Sequence, residues 1–173
     1  GCHQLLCQVA DESGETVNFA RPEPRGMNYV DRVETNWAFR VALPIGTHVP
    51  FHCTASGKLY MASLPAAQRR GLLASLDLKA LTPNTFTDRE KLARELAIIR
   101  KNGFSLDREE FHDAMVAIAV PVTDNRGRFY AALAIHGPTQ RFSLDDAIAR
   151  RDSLLRYAQR ISTLLFTPAP NLT

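Results

Sequence analysis

The chain has 173 residues, 45% of them hydrophobic and 23% charged, with 9 glycines and 10 prolines. That length fits one domain of about 100–200 residues, and the composition excludes disordered, collagenous and low-complexity chains. A net charge of +3, from 21 basic and 18 acidic residues, is too small to argue for nucleic-acid binding by charge alone, and no apolar run approaches the roughly 18 residues of a membrane span.

In chain order, Leu5, Leu6, Val9 and Ala10 recur at helical spacing over residues 3–12, and Ser13-Gly14 is a helix-stop pair. Residues 16–20 read as a strand, 22–26 (Pro-Glu-Pro-Arg-Gly) as a turn and 27–33 as a second strand, which together make a hairpin. Residues 37–43 suggest a third extended segment. The short apolar run 50–53 leads into a helix over 58–64, with Thr54 or Ser56 as its N-cap. Pro65 opens a further short helix through Leu76.

Thr87-Asp88 caps the clearest helix, with Leu92, Ala93, Leu96 and Ile99 as its apolar stripe and Gly103 as its end. A strand is expected over 104–111. The apolar runs 116–122 and 129–135, joined by the turn 124–127, form a hairpin at the core of a sheet. Ser143 caps a last helix whose stripe is Ile148, Leu154, Leu155, Ala158, Ile161, Leu164 and Leu165, and 167–173 is a loose tail. Helix, strands, helices, strands, helix is an α+β order: an antiparallel sheet with helices packed on it.

The junction from Pro50 to Leu64 is the most informative local feature. A helix N-terminus presents unpaired N–H groups and the positive end of the helix dipole. Ala55, Ser56 and Gly57 are small enough for a ligand to approach that backbone. The combination makes a carboxylate or phosphate site, and it equally fits a plain structural helix start. GxxxxGK[ST] is absent, so this is no Walker loop.

His52 and Cys53 point to opposite faces of a strand and form no dyad; a hydrogen-bonded histidine and a small buried cysteine are expected. Asp107 and Glu109 share a strand face and are either a carboxylate pair or solvated charge. His136 ends the core strand, as a structural histidine or as one facing a ligand. Three cysteines (Cys2, Cys7, Cys53) without a pattern argue against a disulfide framework and fit a reducing cytoplasm. Cys2, His3 and Cys7 lack a fourth metal ligand, and no cofactor motif is present.

Several stretches together resemble the effector-binding domain of IclR-type bacterial transcriptional regulators. They are residues 14–18 (Gly-Glu-Thr-Val-Asn), 29–33 (Tyr-Val-Asp-Arg-Val), 46–58 (Gly-Thr-His-Val-Pro-Phe-His-Cys-Thr-Ala-Ser-Gly-Lys), 81–85, 102–110, 118–122 and 131–138. The likeness runs from about residue 3 to 166, which would be the ligand-sensing domain. It implies a GAF-like fold, a curved antiparallel sheet flanked by helices with a pocket on one side. It also implies a non-enzymatic sensor that forms dimers or tetramers. Operator DNA would be bound only through an N-terminal winged helix-turn-helix that this chain lacks. The alternatives are a GAF-like sensor of another signalling protein and a structural dimerisation module.

In that family the effectors are small organic acids. The resemblance puts the acid's carboxylate on the backbone of Ala55 and Ser56, with Asp107, Ala117, Ala134 and His136 around it and Val41, Val49 and Met115 as an apolar wall. Members that bind short oxo-acids carry small polar side chains where this chain has Ala117 and Ala134, and a small polar residue where it has His136. A less polar pocket suits a larger or more apolar acid, aromatic acids included.

Overall fold

The computed structural model describes residues 1–35 and 43–168. Its elements are α1 (Cys2–Ser13), β1 (Thr16–Glu23), β2 (Gly26–Val33), β3 (His48–Val49), α2 (Ala55–Ser63), α3 (Ala66–Ser75), α4 (Arg89–Asn102), β4 (Ser105–Arg108), β5 (Met115–Thr123), β6 (Phe129–Pro138), α5 (Leu144–Ala149) and α6 (Arg151–Phe166). The six strands form one curled antiparallel sheet in the order β3-β2-β1-β6-β5-β4. Both expected hairpins are present, and β1 joins them by pairing with β6 in the middle of the sheet.

Each strand residue faces one side of the sheet, so alternation decides what packs where. Along β5 and β6, Val116, Ile118, Val120, Val122, Leu133 and Ile135 face a core built with α1 and α6: Leu5, Leu6 and Val9 on one helix, Leu154, Tyr157, Ala158 and Ile161 on the other. The alternate residues Ala117, Ala119, Ala132 and Ala134 face α2 and α4, which contribute Leu59, Met61, Ala62, Leu92, Leu96 and Ile99. Small side chains on this face let α2 approach the sheet.

Several expectations are corrected. The strand predicted over 104–111 ends at Arg108, because Glu109 takes a left-handed backbone (φ 58) that breaks the pleat. The last helix is two. Ser143 caps α5 as expected, its Oγ accepting from Asp146 N–H at 3.0 Å, but at Arg150 (φ −84, ψ −7) the N–H turns back to Ala147 O at 3.0 Å and the axis restarts as α6. Tyr157 replaces Leu155 on its buried stripe, and Ile148, Leu155, Leu164 and Leu165 are exposed. On α4 Ala93 is exposed and Glu95 is buried in the stripe. The extended segment expected over 37–43 lies outside the described residues except for Leu43, and the short β3 was not anticipated. Gly103 ends α4 as expected, in the left-handed conformation (φ 77) that favours glycine.

Candidate functional site

The start of α2 is fixed by three contacts. Thr54 is the N-cap; its Oγ1 accepts the Gly57 N–H at 3.0 Å and donates to Pro50 O at 2.7 Å. Lys58 N–H closes the first helical bond on Thr54 O at 3.0 Å. Gly57 is required by packing: a Cβ there would overlap the Phe51 carbonyl oxygen and lie 2.6 Å from Thr54 Oγ1. Among the described residues the N–H groups of Ala55 and Ser56 have no partner, as is usual for the first groups of a helix.

These two residues border a small cavity between α2 and the alanine face of the sheet, of about 20 Å³. That is room for about one water. Seven of the nine expected site residues meet there: Ala55, Ser56, Asp107, Met115, Ala117, Ala134 and His136. Val49 does not border the cavity; it pairs with Met27 across β2 and β3 and packs into the core beside it. Val41 lies outside the described residues. The sequence reading missed Asn18, Tyr29, Thr54 and Phe111, which also border it. Asn18 was findable, as a polar residue in register with Ala134 on a buried strand.

Among the described lining residues none carries a positive charge. The nearby cations are consumed behind the wall. Lys58 is wholly buried, with Nζ 2.7 Å from Glu95 Oε2, 2.7 Å from Leu106 O and 2.8 Å from Glu110 Oε1. Arg32 donates from Nη1 to Asn18 Oδ1 at 3.0 Å and from Nε to Glu34 Oε1 at 3.2 Å. The Lys58 cluster ties α2 to α4 and to the loop after β4. It also corrects the carboxylate pairing: Glu110, not Glu109, turns inward near Asp107, while Glu109 Oε1 accepts from Ala114 N–H at 2.9 Å.

Burial sets the protonation of the cavity groups. It pushes the Asp107 carboxyl up to about 7; the Glu110 N–H, 2.7 Å away, and the Lys58 charge pull the other way, and the Glu110 charge adds to the rise. It pushes the Tyr29 hydroxyl up to about 12, so that group stays neutral. It holds His136 down at about 3, helped by the Arg32 charge, so the imidazole is neutral. His136 Nδ1 lies 3.0 Å from Met115 Sδ, and Nε2 is buried without a partner among the described residues. The site thus offers backbone and hydroxyl donors to an anion on one wall and an unpaired imidazole nitrogen on another.

The remaining candidates are structural. His52 Nε2 is 2.8 Å from Lys79 O, and burial pushes the neighbouring Cys53 thiol up to about 12. His3 pairs with Asp31 at 2.9 Å. Among the described residues no three metal-ligating side chains are grouped to hold an ion, and no helix is long and apolar enough to cross a membrane.

A curled antiparallel sheet with helices on both faces and a cavity under one helix N-terminus is the architecture of a GAF-like ligand-sensing domain. The family model described as the bacterial transcriptional regulator IclR C-terminal domain matches residues 2–163, and the chain belongs to that family. It is 45% identical over 143 residues to the "Probable transcriptional regulator SauR" of Cupriavidus necator, covering 83% of this chain and 57% of that one. It is 31% identical over 166 residues to the transcriptional repressor IclR of Escherichia coli, covering 95% of this chain and 60% of the relative.

The chain therefore spans a little over half the length of these relatives. Among solved structures, the Thermotoga maritima IclR superposes with a TM-score of 0.88 at 32% identity, covering 94% of this chain and 66% of that one. The inducer-binding domain of a PobR double mutant from Acinetobacter, in complex with 3-hydroxybenzoic acid, superposes with a TM-score of 0.84 at 26% identity, covering 94% and 95%.

Proposed function

We propose that this chain is the effector-binding domain of a bacterial transcription regulator and senses a small organic acid. One observation carries the reading: two unpaired N–H groups at the start of α2, those of Ala55 and Ser56, open on a buried cavity whose other walls are Asp107, His136 and the alanine face. The anionic head of the acid sits on those N–H groups, where the helix dipole adds to the hydrogen bonds. Ala117 and Ala134 make room for its body, and Phe111 gives way to enlarge the space. The bound acid of the PobR relative supports the class of ligand.

Residues 1–166 form the sensing unit and 167–173 its tail. A winged helix-turn-helix outside this chain binds the operator, in a cytoplasmic dimer or tetramer. Effector binding favours one arrangement of the oligomer, and only that difference in affinity shifts the DNA-binding state. No catalytic step is assigned.

A thermal-shift screen of this chain against short oxo-acids, hydroxy acids, dicarboxylates and aromatic acids tests the reading. A ligand at 100 times its dissociation constant stabilises by about 2.7 kcal/mol, which for a domain of this size is a shift of several degrees. Ser56→Trp fills the cavity and abolishes the shift. No shift with any acid would remove the carboxylate pocket and favour a dimerisation module.

A further inference from the structure

Among the described residues, His136 differs from the other side chains lining the cavity in having a buried hydrogen-bonding atom without a partner. Its residue is 5% exposed, and among the described residues Nε2 has no partner. An unpaired polar atom in such a place costs free energy that only a ligand or a trapped water can return.

The other ring nitrogen decides what kind of partner Nε2 wants. Nδ1 lies 3.0 Å from Met115 Sδ. A thioether sulfur has no proton to give and only accepts. If Nδ1 were the unprotonated nitrogen, its lone pair would face the sulfur lone pairs. The proton therefore sits on Nδ1 and points at Sδ, and a neutral imidazole protonated there carries its lone pair on Nε2. His136, which lines the cavity, therefore carries a buried acceptor. Burial and the Arg32 charge keep the ring from taking a second proton at neutral pH, since its pKa is held down at about 3.

We propose that the effector is a hydroxy acid: its anionic head rests on the Ala55 and Ser56 N–H groups, and its hydroxyl donates to His136 Nε2. The proposal rests on the acid-sensor reading above and names the substrate class of the same site. A keto or unsubstituted acid has no proton for Nε2 and leaves it unsatisfied. Sites that hydrogen-bond a ligand hydroxyl reject the analogue lacking it strongly, because their own buried groups are then left unpaired.

The test uses matched acids on this chain, read by titration calorimetry: lactate, propionate and pyruvate as one set, 3-hydroxybenzoate and benzoate as another. In at least one set the hydroxy acid binds about tenfold or more tightly than its partners. His136→Phe, which keeps a ring and removes the acceptor, brings the affinity ratio of hydroxy to unsubstituted acid down to within about twofold of unity. Met115→Leu keeps the volume and removes the sulfur that fixes the tautomer, so the preference for lactate over pyruvate narrows without loss of fold.

Nitrogen NMR of the unliganded protein shows Nδ1 protonated and Nε2 bare. Three results overturn the proposal alone: acids that bind and are lost in Ser56→Trp but show no hydroxyl preference, a preference that survives His136→Phe, or an Nε2 that carries the proton. If no acid binds and Ser56→Trp changes nothing, the acid-sensor reading fails and the proposal falls with it.

Discussion

The two faces of the sheet are built from the same two strands and do opposite things. On the α1 and α6 side, Val116, Ile118, Val120, Leu133 and Ile135 are at most 3% exposed and fill the space between sheet and helices with branched side chains. On the α2 side the alternate positions are Ala117, Ala119, Ala132 and Ala134. A helix laid over alanines comes close to the backbone, and where its N-terminus meets the end of the strands a gap is left. One face is a packed core that holds the domain together. The other accepts polar groups (Asn18, Asp107, His136) at a cost that the packed face offsets. On the proposed reading, stability and ligand binding are divided between alternate residues of one strand.

If that division holds, the largest single loss comes from the device that anchors the ligand face. Lys58 reaches partners 37 and 52 residues away, Glu95 and Glu110, and all three side chains are buried. Lys58→Met leaves the buried Glu110 carboxylate without its cation, while Glu95 keeps Arg108 Nη1 at 3.3 Å, and costs about 3–5 kcal/mol, a large part of the 5–15 kcal/mol that holds an ordinary domain together. Urea unfolding measures it. A loss below about 1 kcal/mol would mean that the cluster is solvated and does not position α2.

The same cluster marks where the sequence stopped being legible. The strands, the helix stops and the Thr54 cap follow from local chemistry, and the alternation V-A-I-A-V in β5 already carries the division of faces. Asp107, Ala117, Ala134 and His136 could be placed on one wall because the resemblance and the period of two agree. Lys58 could not, since a lysine beside a glycine reads as exposed until its partners are known, and those come from α4 and from the loop after β4. Glu110 and Phe111 were misdirected for a backbone reason. The left-handed Glu109 rotates everything after it, and no pattern of side chains announces a positive φ at a glutamate. Tyr29 lines the cavity only because the sheet curls, which is a property of the assembled strands.

Volume changes probe the division next. Ala119 and Ala134 are neighbours across β5 and β6 on the same face, but only Ala134 borders the cavity. Ala119→Val has no space to use and costs about 1–3 kcal/mol. Ala134→Val grows into the cavity, costs less than that, and removes the thermal shift given by the effector. Leu133→Ala, on the packed face, costs about 2–5 kcal/mol and leaves the affinity for the acid unchanged. Melting curves with and without ligand separate the three. Equal costs for the two valine substitutions would show that the cavity is no softer than the core.

The smallest effect is a pH dependence in which two cavity groups oppose one another. Asp107 titrates at about 7 in the folded protein against 3.8 unfolded, so between those values the folded state holds a proton that the unfolded chain has lost. Its contribution is full below pH of about 4 and is lost as pH rises towards about 7. His136 titrates at about 3 folded against 6.5 unfolded, so over most of the same window the unfolded chain holds the extra proton. Its contribution is full above about 6.5 and is lost as pH falls. Each slope is up to about 1.4 kcal/mol per pH unit, and their signs cancel in the wild type between pH of about 4 and 6.5. Relative to wild type, Asp107→Asn therefore gains stability as pH rises through that window, and His136→Phe loses it. Urea midpoints at pH 4.5 and 6 read both differences. Two variants that moved in the same direction would mean that water reaches the cavity and that burial does not set the charge of its walls.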